Sequence, residues 1–458
     1  MTRPGKKRFT ASEEPRRQIP GRRHRLADIP WLLSSPMGRS ALLMSFVYSF
    51  HHVLMQLATW HRKIILRHTH ITAVVGSFGK TSTTLALRAA LTPGSGPHPE
   101  HSTECYIALD LLRSTGRSRQ KIYTAAIDRP GRMAEFASMV QPQEVVVTSI
   151  GSAHCRSFGN LETTRDEKAW MVRELHPSGL AILNADDPHV MWMGSQTQAR
   201  IVTFGFDGCA DVRCLLFEAK DQFSSHMEVL IDGEKFQLDI QLIGAVMAYP
   251  VLAALAVAWA RGLPLEPVIT ALEALTPTPG RMQPVLLASG VTLICDEQKS
   301  SLEMMEKALE SLDGFPAERR LAVLGEIQQV MGDENEAYRQ LGIMVEKSAD
   351  KIFFLGKSGA LQLLRDSFTV RGRDPSDISR LPTNLAEAEL VLRDTMRPGD
   401  AVLFKGRQSH FLQRLELRLI GKTTKCELEP CNFLLRCSNC PSLGKHNRQR
   451  GAGFFQSL

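Results

Sequence analysis

Residues 71–84 read ITAVVGSFGKTSTT. An apolar run stops at Gly76, and Gly79, Lys80 and Thr81 follow before a row of hydroxyls. Residue types in this order suit the holding of phosphate. Small residues let backbone N–H groups approach the oxygens, and the N-terminus of a following helix favours negative charge. Lys80 can reach terminal phosphates, and Thr81 can offer its hydroxyl to Mg²⁺. Gly76, Ser77, Phe78, Gly79, Lys80, Thr81 and Ser82 are therefore the candidate ATP loop. The common longer motif has a glycine five residues before Gly79; that position is Val74, so this is the shorter G-x-x-G-K-T form. A strand before it and a helix after it separate it from a chance Gly-Lys-Thr on a surface.

A second cluster is CELEPCNFLLRCSNC, with Cys426, Cys431, Cys437 and Cys440. Four thiolates closing on C-x-x-C suit a tetrahedral structural zinc site. The first two spacings are not those of a common finger, so an iron–sulfur cluster and a metal-free tail stay open. Cys105, Cys155, Cys209, Cys214 and Cys295 are scattered through apolar sequence. The basic N-terminus is not followed directly by an apolar core and a cleavage site, so no secretory signal is read. A reducing cytoplasm is the expectation, without a disulfide framework.

The elements that must position these residues alternate from residue 71 onward. TAVVG, KIYTAAID and EVVVTSIG are strands followed by helices starting at Thr81, at Pro130 and near 162; GLAILNA leads into the turn Asp186-Asp187-Pro188. That alternation predicts a mostly parallel sheet with helices on both faces. Residues 200–242 read as a small antiparallel region with a hairpin at Asp232-Gly233. A helix over 245–261 and the turn-rich TPTPGRMQ at 276–283 precede a second block with strands VTLICDE, RLAVLGE, KIFFLG and DAVLFKG. The predicted class is α/β: a P-loop central domain with a mostly parallel sheet, and a C-terminal Rossmann-like α/β domain. The expected order is a basic arm at 1–38, an amphipathic helix at 39–70, domains at 71–280 and 281–420, and a cysteine-rich tail at 421–458.

The 458 residues are 43% hydrophobic and 22% charged, ordinary for a globular protein. The formal net charge is +7, and residues 1–27 alone hold nine Lys or Arg against two acids. The basic character is thus an arm, which argues against a nucleic-acid groove and leaves a solvated tail or an anionic surface. In residues 39–68, Leu42, Phe46, Phe50, Val53, Leu57, Trp60 and Ile64 recur at helical spacing beside a polar stripe. Such a helix packs on the protein or lies on a membrane surface; two adjacent histidines and a glutamine make it a poor span.

The short loop form and seven further landmarks in order resemble the Mur ligase family. They are STECYIAL (102–109), IDRPGRM (127–133), TSIGSAHCRSFGNLETTRDEK (148–168), LNADDP (183–188), PGRMQ (279–283), VLGEIQQVMG (323–332) and FKGRQ (404–408). The resemblance runs over about residues 71–415. It implies ATP-driven amide bond formation. A carboxylate takes the γ-phosphoryl group, and an amine then attacks the acyl phosphate. It further implies that Lys80 holds the β and γ phosphates, and that Thr81, His154 and Lys168 serve Mg²⁺, Lys168 after carbamylation by CO₂. Arg281, Asp296 and Lys299 are implied on the ATP, and Thr103, Glu104, Lys405 and Arg407 toward the substrate.

Three departures stand out. The family's metal-binding glutamate before the 127–133 turn is Thr124 here, a poor ligand for a hard dication, with Asp128 four residues on. The adenine-side Gly-x-His-Asn run reads LIGAVMAYP, with Val246, Met247 and Pro250 in place of polar groups. Residues 1–70 offer an arm and a helix where the family's UDP-binding domain is expected. The function expected is an ATP-dependent ligase joining a small acid, a cell-wall precursor or a related one, to an amine or peptide. A nucleotide-binding scaffold that has lost turnover is the alternative.

Overall fold

The computed structural model describes residues 49–93, 103–153, 155–369, 372–426, 436–440 and 443–444, with single residues 33, 39 and 47. Two sheets organise these residues. The first has eight strands in the order β2-β1-β3-β4-β5-β6-β7-β8. They are β1 (His70–Val75), β2 (Gln120–Thr124), β3 (Glu144–Val147), β4 (Leu180–Asn184), β5 (Arg200–Gly205), β6 (Val212–Ala219), β7 (Ser225–Ile231) and β8 (Glu234–Ile240). Strands β1 to β6 run parallel, and β6, β7 and β8 are antiparallel. Within 200–242, β6, β7 and β8 are the expected antiparallel region, while β5 belongs to the parallel part, and all four strands continue the main sheet. The burial of Val202 to Gly205 is continuous, as a strand covered on both faces requires. Asp232 and Gly233 both have positive φ (52° and 82°), which is the backbone a two-residue hairpin matched to strand twist needs.

The second sheet has the order β13-β12-β11-β14-β10-β9. Its strands are β9 (Gln283–Leu286), β10 (Thr292–Asp296), β11 (Arg320–Gly325), β12 (Lys351–Leu355), β13 (Ile378–Arg380) and β14 (Ala401–Lys405). All neighbours are parallel except β9 against β10. The turn at 276–282 passes from one sheet to the other, and Met282 takes φ 46° there.

Helices that bear on the site are α1 (His51–Ile64), α2 (Lys80–Leu91), α3 (Glu104–Arg113), α4 (Arg132–Val140), α5 (Leu161–Lys168), α6 (Ala248–Ala260), α7 (Leu302–Asp313) and α8 (Leu412–Leu419). The helical segment expected near 162–175 is two pieces, α5 and Trp170–Arg173, meeting at Ala169. Most of 39–50 lies outside the described residues. In α1 the side that faces the protein is Met55, Ala58 and Arg62, while Val53, Leu57, Trp60 and Ile64 point outward. The helix has apolar residues on both faces, and the periodic stripe read from sequence is the outer one. Arg62 holds the inner face by donating to the Val140 carbonyl (2.9 Å) and the Gln141 carbonyl (3.0 Å) at the end of α4.

Candidate active site

The loop after β1 is built by close backbone approach. Gly76 has φ 151°, and a Cβ there would lie 2.1 Å from Thr148 Oγ1 and 3.0 Å from Ser149 N. Only glycine lets the loop lie against the exit of β3. Gly79 opens α2 in the left-handed region, φ 77°. Ser77 ties the loop together: its Oγ accepts from Gly151 N–H (2.8 Å) and from Lys168 Nζ (2.7 Å). Phe78 N–H donates to Ser149 Oγ (3.1 Å). Ser82 is buried behind the loop.

Lys80 Nζ reaches back to the carbonyls of Gly76 (2.7 Å) and Ser77 (3.2 Å). Lys168, at the end of α5, is buried and meets the same loop through Ser77. From the second sheet come Lys299, after β10, and Arg281, whose Nη2 donates to Thr81 Oγ1 at 3.2 Å. No ion pair joins Lys80, Lys168 or Lys299 to a carboxylate among the described residues. Burial first, then the charges of Lys168, Lys299 and Arg281, push the Lys80 ammonium well below its usual range. Burial and Lys299 bring Lys168 down to about 7, with Asp187 opposing. Burial and Arg281 lower Lys299. This is a knot of cations that fits a polyanion: bound phosphates would supply the negative charge the protein withholds.

A cavity of about 330 Å³ opens on this knot. Its walls are the loop from Ser77 to Thr81, Thr103 and Glu104 at the start of α3, Thr124 at the end of β2 with Ala126 to Arg129 beyond it, and Arg281, Lys299 and Met304 from the second unit. It lies at the carboxyl ends of the parallel strands, where open α/β sheets bind ligands. Thr124 lines it with its hydroxyl 2.7 Å from that of Thr84. Asp128 also lines it, so the turn does bring this carboxylate to the wall. Glu104 and Asp128 are the carboxylates of this lining, Asp128 with an oxygen 3.9 Å from Arg129 Nε, and Thr81 adds a hydroxyl; Mg²⁺ arriving with phosphates takes one or two protein carboxylates. His154 lies outside the described residues.

Other expected site residues are placed elsewhere. Lys405 is fully buried, and its Nζ donates to Asp296 Oδ2 at 2.5 Å. The two face each other because β10 and β14 are neighbours with Asp296 opposite Lys405. They satisfy one another, and neither lines the cavity. Arg407 turns to His410, its Nε 3.1 Å from His410 Nε2. Met247 belongs to the main core, Val246 packs against it half-buried, and Pro250 is buried in α6; none of the three lines the cavity.

Cys431 lies outside the described residues, and no group of three or more His, Cys, Asp or Glu residues suited to a metal occurs among the described ones. Cys105, Cys209, Cys214, Cys295, Cys426 and Cys440 are not in disulfides. What pins the described part of the tail is Arg436, which donates to Glu297 Oε1 (2.6 Å) and the Pro279 carbonyl (2.7 Å). Gly280 leaves the room, since a Cβ there would meet Arg436 Nη1 at 2.1 Å.

Sequence reasoning missed Met304, Arg129 and the pair Ser152–Glu303. Glu303 accepts from Ser152 N–H (3.0 Å) and Ser152 Oγ (2.7 Å), joining the first unit to α7 beside the loop. An acid in the first turn of a helix was visible, but its partner 151 residues away carries no local signal.

Sheet, loop and cation knot define a phosphate-binding α/β protein whose site is completed by a second α/β unit. Residues 74–258 match the model of the Mur ligase middle domain, and residues 280–408 match that of the Mur ligase glutamate ligase domain. The chain belongs to the Mur ligase family. It is 28% identical over 384 residues to the UDP-N-acetylmuramoyl-tripeptide--D-alanyl-D-alanine ligase of Mycobacterium tuberculosis, covering 79% of this chain and 74% of that one. The Synechocystis ligase of the same name is 26% identical over 396 residues, covering 83% and 80%. Among solved structures, MurF ligase from Thermotoga maritima in complex with ADP superposes with a TM-score of 0.71 at 21% identity, covering 81% of this chain and 83% of that chain. MurF from Acinetobacter baumannii gives 0.71 at 20% identity, covering 81% and 80%.

Proposed function

We propose that the protein is an ATP-dependent carbon–nitrogen ligase that joins a carboxylate-bearing cell-wall precursor, or a related acid, to an amino acid or peptide. The observation that carries this reading is the knot of Lys80, Lys168, Lys299 and Arg281 on the glycine loop, in which no carboxylate pairs with the three lysines among the described residues. The names of the relatives support the choice of acid and amine. Its place of work is the cytoplasm, where such precursors and ATP meet.

In this reading Lys80 gives up its loop carbonyls and holds the β and γ phosphates, with Lys299 and Arg281 closing from the second unit. The substrate carboxylate enters along the wall made by Thr103 and Glu104. Its oxygen bonds to the γ-phosphorus as the bond to the ADP oxygen breaks. The amine nitrogen then attacks the acyl carbon, a tetrahedral centre forms, and phosphate leaves while the nitrogen loses a proton to solvent. Fixed cations aimed at the transferring oxygens are the main source of acceleration. Bound magnesium supplies charge neutralisation on the phosphates, with Thr81 and the Glu104 and Asp128 carboxylates within the same cavity. Lys168 has the property that reaction with CO₂ needs: with its ammonium lowered to about 7, much of it is a neutral amine at neutral pH. Carbamylation would turn a buried cation into an anion that could serve the metal, and would relieve the repulsion in the knot.

The test is phosphate release from ATP and Mg²⁺, with bicarbonate, across pairs of acids and amines. Release that requires both partners and is lost in Lys80→Ala supports the reading. ATP binding with no release for any pair would overturn it.

A further inference from the structure

Helix α1 presents an outer face of exposed apolar side chains. Val53, Leu57, Trp60 and Ile64 follow at spacings of four, three and four, and are 53%, 51%, 58% and 49% exposed, with Ile65 at 43% beyond them. The opposite face is fixed on α3 and α4 by Met55, Ala58 and the hydrogen bonds of Arg62, so the helix cannot roll to hide the stripe. A contiguous apolar stripe of this kind marks an interaction surface.

Charge indicates what covers it. Residues 1–70 contain thirteen Lys or Arg and three acids, and no Asp or Glu occurs between Asp28 and Glu100. Lys63 and Arg67 are exposed beside the stripe. Glu135, the acid of the groove under Trp60, is already paired with Arg132 at 3.0 Å. A second copy would bring two strongly cationic segments together. An anionic bilayer offers both apolar depth and negative charge at one surface. The helix of 14 residues is about 21 Å long, too short for the roughly 30 Å hydrocarbon core, so it lies in the surface. Trp60 has the ring that favours the headgroup level.

We infer that α1 is an in-plane membrane anchor that docks this protein on anionic phospholipid through Val53, Leu57, Trp60 and Ile64, with the basic residues around it contacting headgroups. This goes beyond the ligase reading and does not depend on it.

The experiment is co-sedimentation of the full-length protein with vesicles of phosphatidylcholine alone or mixed with phosphatidylglycerol. Binding to the mixed vesicles should be at least about tenfold tighter, and should weaken as salt is raised. The double substitution L57E/W60E should lower it at least about tenfold, and W60F should retain it. Both variants should keep the parent's melting temperature, since these side chains point away from the core. Parent protein that stays in the supernatant with mixed vesicles overturns the proposal. So does an L57E/W60E variant that sediments as the parent does. A parent dimer in sedimentation velocity that L57E/W60E splits, without vesicle binding, would assign the face to a second copy.

Discussion

The two ends of the same strands handle buried charge in opposite ways. At the N-terminal end of β1 and β3, Glu144 is 3% exposed and fully matched. Arg261 Nε donates to its Oε1 at 2.7 Å, Thr72 Oγ1 donates to its Oε2 at 2.7 Å, and His70 Nε2 lies 3.1 Å away. Burial alone would raise this carboxyl. His70 and Arg261 overcome it and hold it at about 2. At the C-terminal end, past Val75 and Val147, half-buried Lys80 and buried Lys168 form no ion pair with a carboxylate among the described residues, and both are pushed down. One end is completed by the protein itself, and it stabilises. The other is left for something else to complete, and holding it open costs stability. The contrast separates residues that carry the fold from residues that carry the chemistry.

The largest effect should come from Lys80→Met. Losing one preorganised cation on the transferring phosphoryl group costs about 10²- to 10³-fold in turnover. The ligand-free protein should be as stable as the parent or more so, because an unmatched charge has gone. ATP at about 100 times its dissociation constant stabilises a binding protein by about 2.7 kcal/mol, and most of that gain should vanish. A substituted protein that melts well below the parent without ATP would break the comparison, since Lys80 would then be structural.

Lys168 sharpens it through pH. With the ammonium at about 7, its neutral fraction grows from about one tenth at pH 6 to about nine tenths at pH 8. Bicarbonate-dependent activation should rise through that range and be absent in Lys168→Arg, which stays charged. The unfolded chain binds more protons than the folded one between about 7 and the ordinary lysine value, so this residue makes stability rise with pH across that window. Titration of the parent that shows activation without bicarbonate would remove Lys168 from that role.

Much of this site was legible because its signal is local. A strand, two glycines and Lys-Thr within ten residues can be read from order alone, and so can the Asp232-Gly233 hairpin. What was not legible depends on distant neighbours. Lys405 looks like a substrate cation in FKGRQ, yet β14 lies against β10 and sets it on Asp296. Arg281 was read as a phosphate ligand, but its approach to Thr81 spans 200 residues of sequence. In α1, periodicity identified a helix while saying nothing of which apolar face turns inward. Packing against α4 decides that, through Arg62.

Glu144→Gln tests the matched end. It leaves Arg261 short of its counter-charge, a loss of about 3 kcal/mol in stability, with phosphate release within about twofold of the parent. A folded-state carboxyl held below its ordinary value stabilises above that value and loses the effect as pH falls through about 2. The parent should therefore weaken on acidification below about pH 5 more steeply than Glu144→Gln in urea titrations. Equal acid slopes would show that Glu144 is not the matched charge proposed here.

The smallest effect is expected at Thr124, which lies between the two cases, on the cavity wall yet already paired with Thr84. Thr124→Val breaks that hydroxyl pair and keeps the shape. One neutral hydrogen bond is worth about 1 kcal/mol, so stability should fall by that order. If the Glu104 and Asp128 carboxylates serve the metal, turnover and the Mg²⁺ concentration for half-maximal rate should shift by no more than about twofold. A tenfold rise in the Mg²⁺ requirement would move Thr124 from the completed class to the open one. The hydroxyl pair would then be read as a site waiting for its ion, as the lysines wait for phosphate.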